Sequence, residues 1–147
     1  MTDECFEAKQ WLRRVYVIAK RVECNERLLE VLKARVNTAV ARYENTGEGS
    51  DREQAKKRRE DALFEYIEQE GKCERSQKLY DREARKVTRI IKRIDDDTVQ
   101  EIMMLRYVDL LRWADVIKVA NYSRAQVFRY HADGLAKVAQ ILKEVRR

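Results

Sequence analysis

Between Trp11 and Tyr43 the residues Trp11, Val15, Ile18, Val22, Asn25, Leu29, Leu32, Val36, Ala39 and Tyr43 recur at alternating steps of four and three, with charged residues between them. That spacing holds one face of an α-helix apolar for more than four heptads, as expected of a long helix laid against a partner helix in this chain or another. Asn25 is the one polar member of the seam. Two readings of it stay open: a selector of register or oligomer state, because two facing amides satisfy each other, or a solvent-tolerant gap. The following stretch 45–51, NTGEGSD, combines glycines that accept positive φ, polar turn formers and a Ser-x-x-Glu capping box at Ser50 and Glu53. It predicts the end of one helix and the start of another.

The second helical stretch, 51–94, carries a more polar stripe of Ala62, Tyr66, Gln69, Cys73, Ser76 and Tyr80, then steps to Ala84, Val87, Ile91 and Ile94. Such a step marks a stutter that changes the local supercoil, and Gly71 weakens the middle. Residues 1–94 are therefore expected to form a long antiparallel helical hairpin, a coiled-coil arm whose two sides of ~40 residues each extend about 60 Å. Its expected role is oligomerisation or partner binding.

A new pattern begins at 95. Asp95, Asp96 and Asp97 interrupt the stripe, and Thr98 with Glu101 forms a further capping box. Helix capping is the favoured role of the acids, since a hard-cation site needs ligands converging from several directions. Residues 98–108 then place Ile102, Leu105 and Tyr107 or Val108 on one stripe, Asp109 and Leu110 break it, and a short helix is predicted over Leu111–Ala120 with Trp113, Val116, Ile117 and Ala120 inward. Asn121 tolerates the left-handed conformation of a tight turn, and Ser123-Arg-Ala-Gln126 is a third capping box that opens a helix running to about Arg146. A short helix, a three-residue turn and a longer capped helix make the helix-turn-helix layout. The expectation is an all-α chain, a coiled-coil arm over 1–94 followed by a DNA-binding domain over 95–147.

On the last helix Val127, Tyr130, Leu135, Val138 and Leu142 are expected to point inward, Ala125, Phe128, Arg129 and Ala132 outward, and Gln126 to lie on a flank. The outward set suits base edges: small alanines permit close approach, Arg124 or Arg129 pairs bidentately with guanine, Gln126 with adenine, and Phe128 meets a thymine methyl. Each has a rival role: phosphate contact for the arginines, capping for Gln126, core packing for Phe128. Ser123 at the turn, with Arg112 and Lys118 on the preceding short helix, completes the candidate DNA-contact set.

Composition narrows the classes. A chain of 147 residues with no proline, four glycines and 39% charged side chains is one functional unit built of long helices. The net charge of +6 is concentrated in residues 52–94, with fourteen basic against nine acidic groups, and in residues 109–147, with eight against four. Such faces attract phosphate, although a solvated helix face carries the same residues. Cys5, Cys24 and Cys73 fit neither a disulfide framework nor a zinc spacing and are expected to be small, buried or half-buried residues of a cytoplasmic protein. No apolar run reaches the ~20 residues of a membrane span, and residues 1–14 lack the apolar core of a signal peptide. His131 is the sole histidine, placed near the buried flank of the last helix for packing or phosphate contact. No catalytic set can be assembled around it, so neither an enzyme nor a cofactor or metal site is expected.

The string LRYVDLLRWADVIKVANYSRAQVFRYHADGLAKV, Leu105 to Val138, resembles the DNA-binding fourth region of bacterial sigma factors, and the resemblance covers about a quarter of the chain. It is carried by Leu105-Arg-Tyr-Val-Asp109, by Leu111-x-Trp113, by Val116, and by Tyr122-Ser-Arg-x-Gln-Val127 leading into Leu135. It implies that the first helix of the pair supports the second and that the residues after the capping serine, here Arg124, Gln126 and Arg129, meet promoter DNA. The chain departs from the pattern at Leu110 and Asn121, where glycine is commoner, and at Ile117, where a small residue is usual. Nothing similar to the other sigma regions precedes the module. A module of this kind behind a charged helical segment resembles the late-operon transcriptional regulators of Gram-positive phages, the ArpU and RinA type. That resemblance implies a sequence-specific regulator binding double-stranded DNA, with RNA polymerase as a further candidate partner of the arm. The Trp11–Tyr43 seam, longer than a hairpin with so polar a second side needs, is expected to pair chains into a dimer. Two other classes are weighed: a phage DNA-packaging subunit similar to small terminases, and a coiled-coil adaptor.

Overall fold

Six α-helices and no strand make up residues 2–146, which the computed structural model describes. They are α1 (Asp3–Leu12), α2 (Arg14–Glu44), α3 (Ser50–Ile91), α4 (Asp97–Tyr107), α5 (Trp113–Ala120) and α6 (Arg124–Arg146). The chain is thus all-helical, and it divides into two compact units. One runs to Ile18 and resumes at Tyr80; the other is Ala19–Leu79.

The first unit has a dry core. Ala8, Leu12 and Val15 meet Val87, Ile91 and Ile94 from α3 and its end, Val99, Met103 and Tyr107 from α4, and Leu135, Val138 and Leu142 from α6. Each set recurs at three- or four-residue steps, so every helix turns one stripe inward. The boundary expected after residue 94 falls inside this unit, because α1 and the last turns of α3 share their core with α4 and α6.

The buried residue at the N-terminal end of the expected seam is Leu12, at 0% exposure, and Trp11 is only half-buried. Two features explain the shift. Arg13 separates α1 from α2 as a single non-helical turn residue, and α1 lies against α6, with Glu4 paired to Lys143. Further along, α3 keeps its inward stripe through Tyr80, Glu83 and Val87, so the expected step to Ala84 is displaced: the four-four step falls at Glu83, Val87 and Ile91. Glu83 is tolerated there, at 8% exposure, because Arg14 (2.9 Å) and Lys86 (3.3 Å) reach it. Burial alone would raise its pKa, but the hydrogen bonds from Lys86 and Arg14 outweigh it and hold the carboxyl below its ordinary range.

The α4 cap is Asp96, two residues before the expected Thr98: its Oδ1 accepts from the backbone N–H groups of Thr98 (3.0 Å) and Val99 (3.1 Å). Where α4 and α6 approach, Gly134 leaves room for Met103. A Cβ at Gly134 would lie 2.6 Å from the Met103 sulfur.

In the second unit, α2 and α3 run antiparallel. The Asn25 carbonyl accepts from Gln69 Nε2 (3.0 Å) and Cys73 Sγ (3.3 Å), Arg35 pairs with Glu65 (3.8 Å), and the Arg52 and Arg59 guanidinium groups lie over the Tyr43 ring at 4.3 and 3.9 Å. Every expected α2 seam residue from Val22 to Tyr43 is buried or half-buried. The turn holds Gly49 at φ 103°, and Ser50 is the first helical residue, not the expected cap: the Gly49 carbonyl accepts from Arg52 and Glu53. Cys5 and Cys73 are half-buried, whereas Cys24 is exposed on the outer side of α2.

Candidate nucleic-acid interface

Three helices hold the candidate surface. Ile102 of α4, Val116 of α5 and Val127 of α6 form a small buried cluster, closed at its edges by Leu105, Leu111, Trp113, Ile117, Tyr122 and Tyr130. The short helix α5 begins at Trp113, two residues later than expected. Arg112 is its N-cap by backbone conformation but has no side-chain acceptor to cap it, and its largely exposed side chain instead pairs with Asp115 at 3.4 Å.

Both positions at which glycine is commoner in the resembled pattern carry positive φ: Leu110 at 59° and Asn121 at 61°. Asparagine visits this region readily and leucine does not, so the α4–α5 connection stores strain. Arg106 steadies it. Its guanidinium donates to the Leu111 carbonyl at 2.9 Å and stacks over the Trp113 ring at 4.6 Å. Arg106 sits in the Leu105–Asp109 string that carries the family resemblance, but nothing in its spacing signals this bracing role, because its partners Leu111 and Trp113 are set by the turn.

Asn121 ends α5 in the left-handed conformation, its N–H bonded to the Ile117 carbonyl at 3.1 Å. Two residues on, the Ser123–Gln126 box is closed reciprocally: Gln126 N–H donates to Ser123 Oγ (3.2 Å) and Ser123 N–H to Gln126 Oε1 (3.1 Å). The Gln126 carbonyl oxygen is thus engaged in capping, which leaves its amide nitrogen for any outside acceptor. Arg124, Ala125, Arg129 and Ala132 are exposed on α6, as is Lys118 on α5, and among the described residues no acid pairs with Lys118, Arg124 or Arg129.

Phe128 departs from the expected outward position. It is half-buried, with its ring 4.9 Å from Trp113 and the Arg124 guanidinium 5.1 Å above it. Val119, next to Lys118 on α5, is an exposed apolar residue that the sequence gives no reason to single out.

Behind this face sits His131, at 7% exposure. Its Nε2 shares a 2.6 Å hydrogen bond with the Tyr107 hydroxyl, and its ring meets Trp113 edge-on at 4.6 Å. One imidazole therefore joins α4, α5 and α6. Burial, with the positive charges of Lys9 and Arg106, pushes its pKa down to about 4, so it is neutral near pH 7. Burial likewise raises the Tyr107 hydroxyl to about 12. Of the two expected roles, packing describes this residue; its imidazole does not reach the surface. Among the described residues no helix is long and apolar enough to cross a membrane. Compared with protein-family models, curated proteins and solved structures, the chain has no match in any of the three.

Proposed function

We propose that the chain binds double-stranded DNA in a sequence-dependent way through a helix-turn-helix made of α5 and α6, and regulates transcription through that contact. A helical hairpin of α2 and α3 forms the remaining arm. One observation carries the reading: the first turns of α6 expose Arg124, Ala125 and Arg129 without an acidic partner, on a helix start fixed by the reciprocal Ser123–Gln126 bonds. A rigid helix end with small and cationic residues is what major-groove entry requires. Lys118 supplies a further phosphate-directed charge, whereas Arg112 shares its charge with Asp115. The transcriptional part of the proposal rests on the sigma-like string Leu105–Val138.

Selection of binding sites from random duplexes, followed by affinity measurement at several salt concentrations, tests the reading. One enriched sequence is expected, with log K falling linearly against log salt. Absence of salt-sensitive duplex binding would contradict it.

A further inference from the structure

We propose that the outer face of α3 is a self-association surface, on which a second copy of the chain lays its own α3 in antiparallel register. The α2 seam does not offer this surface, since Val22–Tyr43 already packs on α3 within the chain. On the opposite side of α3, Phe64 and Ile67 are 64% and 62% exposed in a helix otherwise covered with charge.

The charges flanking this apolar pair are arranged about its midpoint. Moving outward in steps of three and four, Glu60 stands on one side and Gly71 on the other, then Lys57 and Glu74, then Glu53 and Lys78. All are exposed except Gly71, which is half-buried. A two-fold axis between Phe64 and Ile67 therefore sets Phe64 on the partner's Ile67, Lys57 on the partner's Glu74 and Glu53 on the partner's Lys78. Both charged pairs along the stripe are of opposite sign, and each occurs twice by symmetry. At Gly71 the Arg75 guanidinium of the same helix covers the backbone, 3.2 Å from where a Cβ would stand, so the partner's Glu60 meets a cation there. Parallel packing would instead set each of these residues against its own copy. Glu74 already pairs with Lys78 of its own helix at 3.2 Å, so the partner's Lys57 would join an acid with room for a second cation. The stripe from Glu53 to Lys78 is about 38 Å long at 1.5 Å per residue, enough for a small, weak-to-moderate interface.

Lys57 and Glu74 lie 17 residues apart on one continuous helix, about 25 Å, so they cannot compensate each other within a chain. That makes charge exchange decisive. Sedimentation equilibrium of the full chain without DNA should give a dimer. Lys57→Glu should weaken it about tenfold, by turning two attractions into two repulsions. Adding Glu74→Lys to that variant should return the dissociation constant to within about threefold of the original. Phe64→Glu with Ile67→Glu should leave a monomer of unchanged helicity. A monomeric parent chain at about 100 µM would overturn the proposal and leave the stripe to a different protein. A dimer that survives the double apolar substitution, or one that charge exchange fails to restore, would overturn it equally. None of these outcomes bears on the DNA-binding reading, because no nucleic acid enters the measurement.

Discussion

The two units are built from the same kind of sequence, charged helices with a three-four apolar repeat, yet they differ in what the repeat encloses. In the first, ten side chains from Leu12 to Val138 are fully buried, contributed by all six helices. In Ala19–Leu79 the buried apolar residues are Leu32 and Ala55, joined by the polar Gln69 and Ser76. A seam between two helices has water on both flanks, so it excludes solvent only at its centre line and tolerates polar residues. A third and fourth helix close those flanks. Periodicity reports that a face is partnered; it does not report how many partners cover it.

The largest expected effect breaks the three-helix cluster. Ile102→Ala removes a fully buried side chain where α4, α5 and α6 meet and should cost ~2–5 kcal/mol in denaturant unfolding, whereas Leu29→Ala, half-buried in the two-helix seam, should cost about 1 kcal/mol. Equal costs would show that the seam is as dry as the cluster.

Next comes pH. The folded-state pKa of His131 is depressed to about 4 from 6.5, so below pH 6.5 the unfolded chain binds the extra proton and stability falls until about pH 4, by up to about 3 kcal/mol. Glu83, also depressed, adds to the loss at the acid end. Tyr107 acts on the other side: its pKa is raised to about 12, so stability falls between pH 10 and 12. Replacing His131 with Gln should flatten the loss between pH 6.5 and 4, as followed by thermal unfolding across that range.

The smallest effect sharpens the α4–α5 connection. Leu110→Gly should stabilise by up to about 1 kcal/mol, because glycine relieves the positive φ, less whatever Leu110 contributes by packing on the main cluster. Calorimetry showing a net loss would mean that packing outweighs strain there.

Much of this was legible in the chain. The α2 seam, the left-handed Asn121 and the Ser123–Gln126 box follow from residue types at fixed spacing, since local geometry alone decides them. The misplacements share a cause. Glu83 carries no local sign of facing inward because its burial depends on Arg14, 69 residues away, and Phe128 looks outward on its own helix because its partner Trp113 lies on another. Spacing points to a cap at Thr98 whereas the chain uses Asp96, because three consecutive acids and a threonine all qualify locally. Leu12 replaced Trp11 once α1 found α6 as its neighbour.

The central claim, that the exposed face of α6 reads duplex DNA, is tested most directly by the ratio of affinities for a selected and a random duplex. Arg124→Ala with Arg129→Ala is the informative variant, because it leaves the Ser123–Gln126 cap intact. The account predicts that the selected site loses ~1–3 kcal/mol per base contact removed, while the random duplex loses only the smaller phosphate share, so the ratio collapses. A ratio unchanged by the double substitution, in a protein of unaltered helicity, would contradict it.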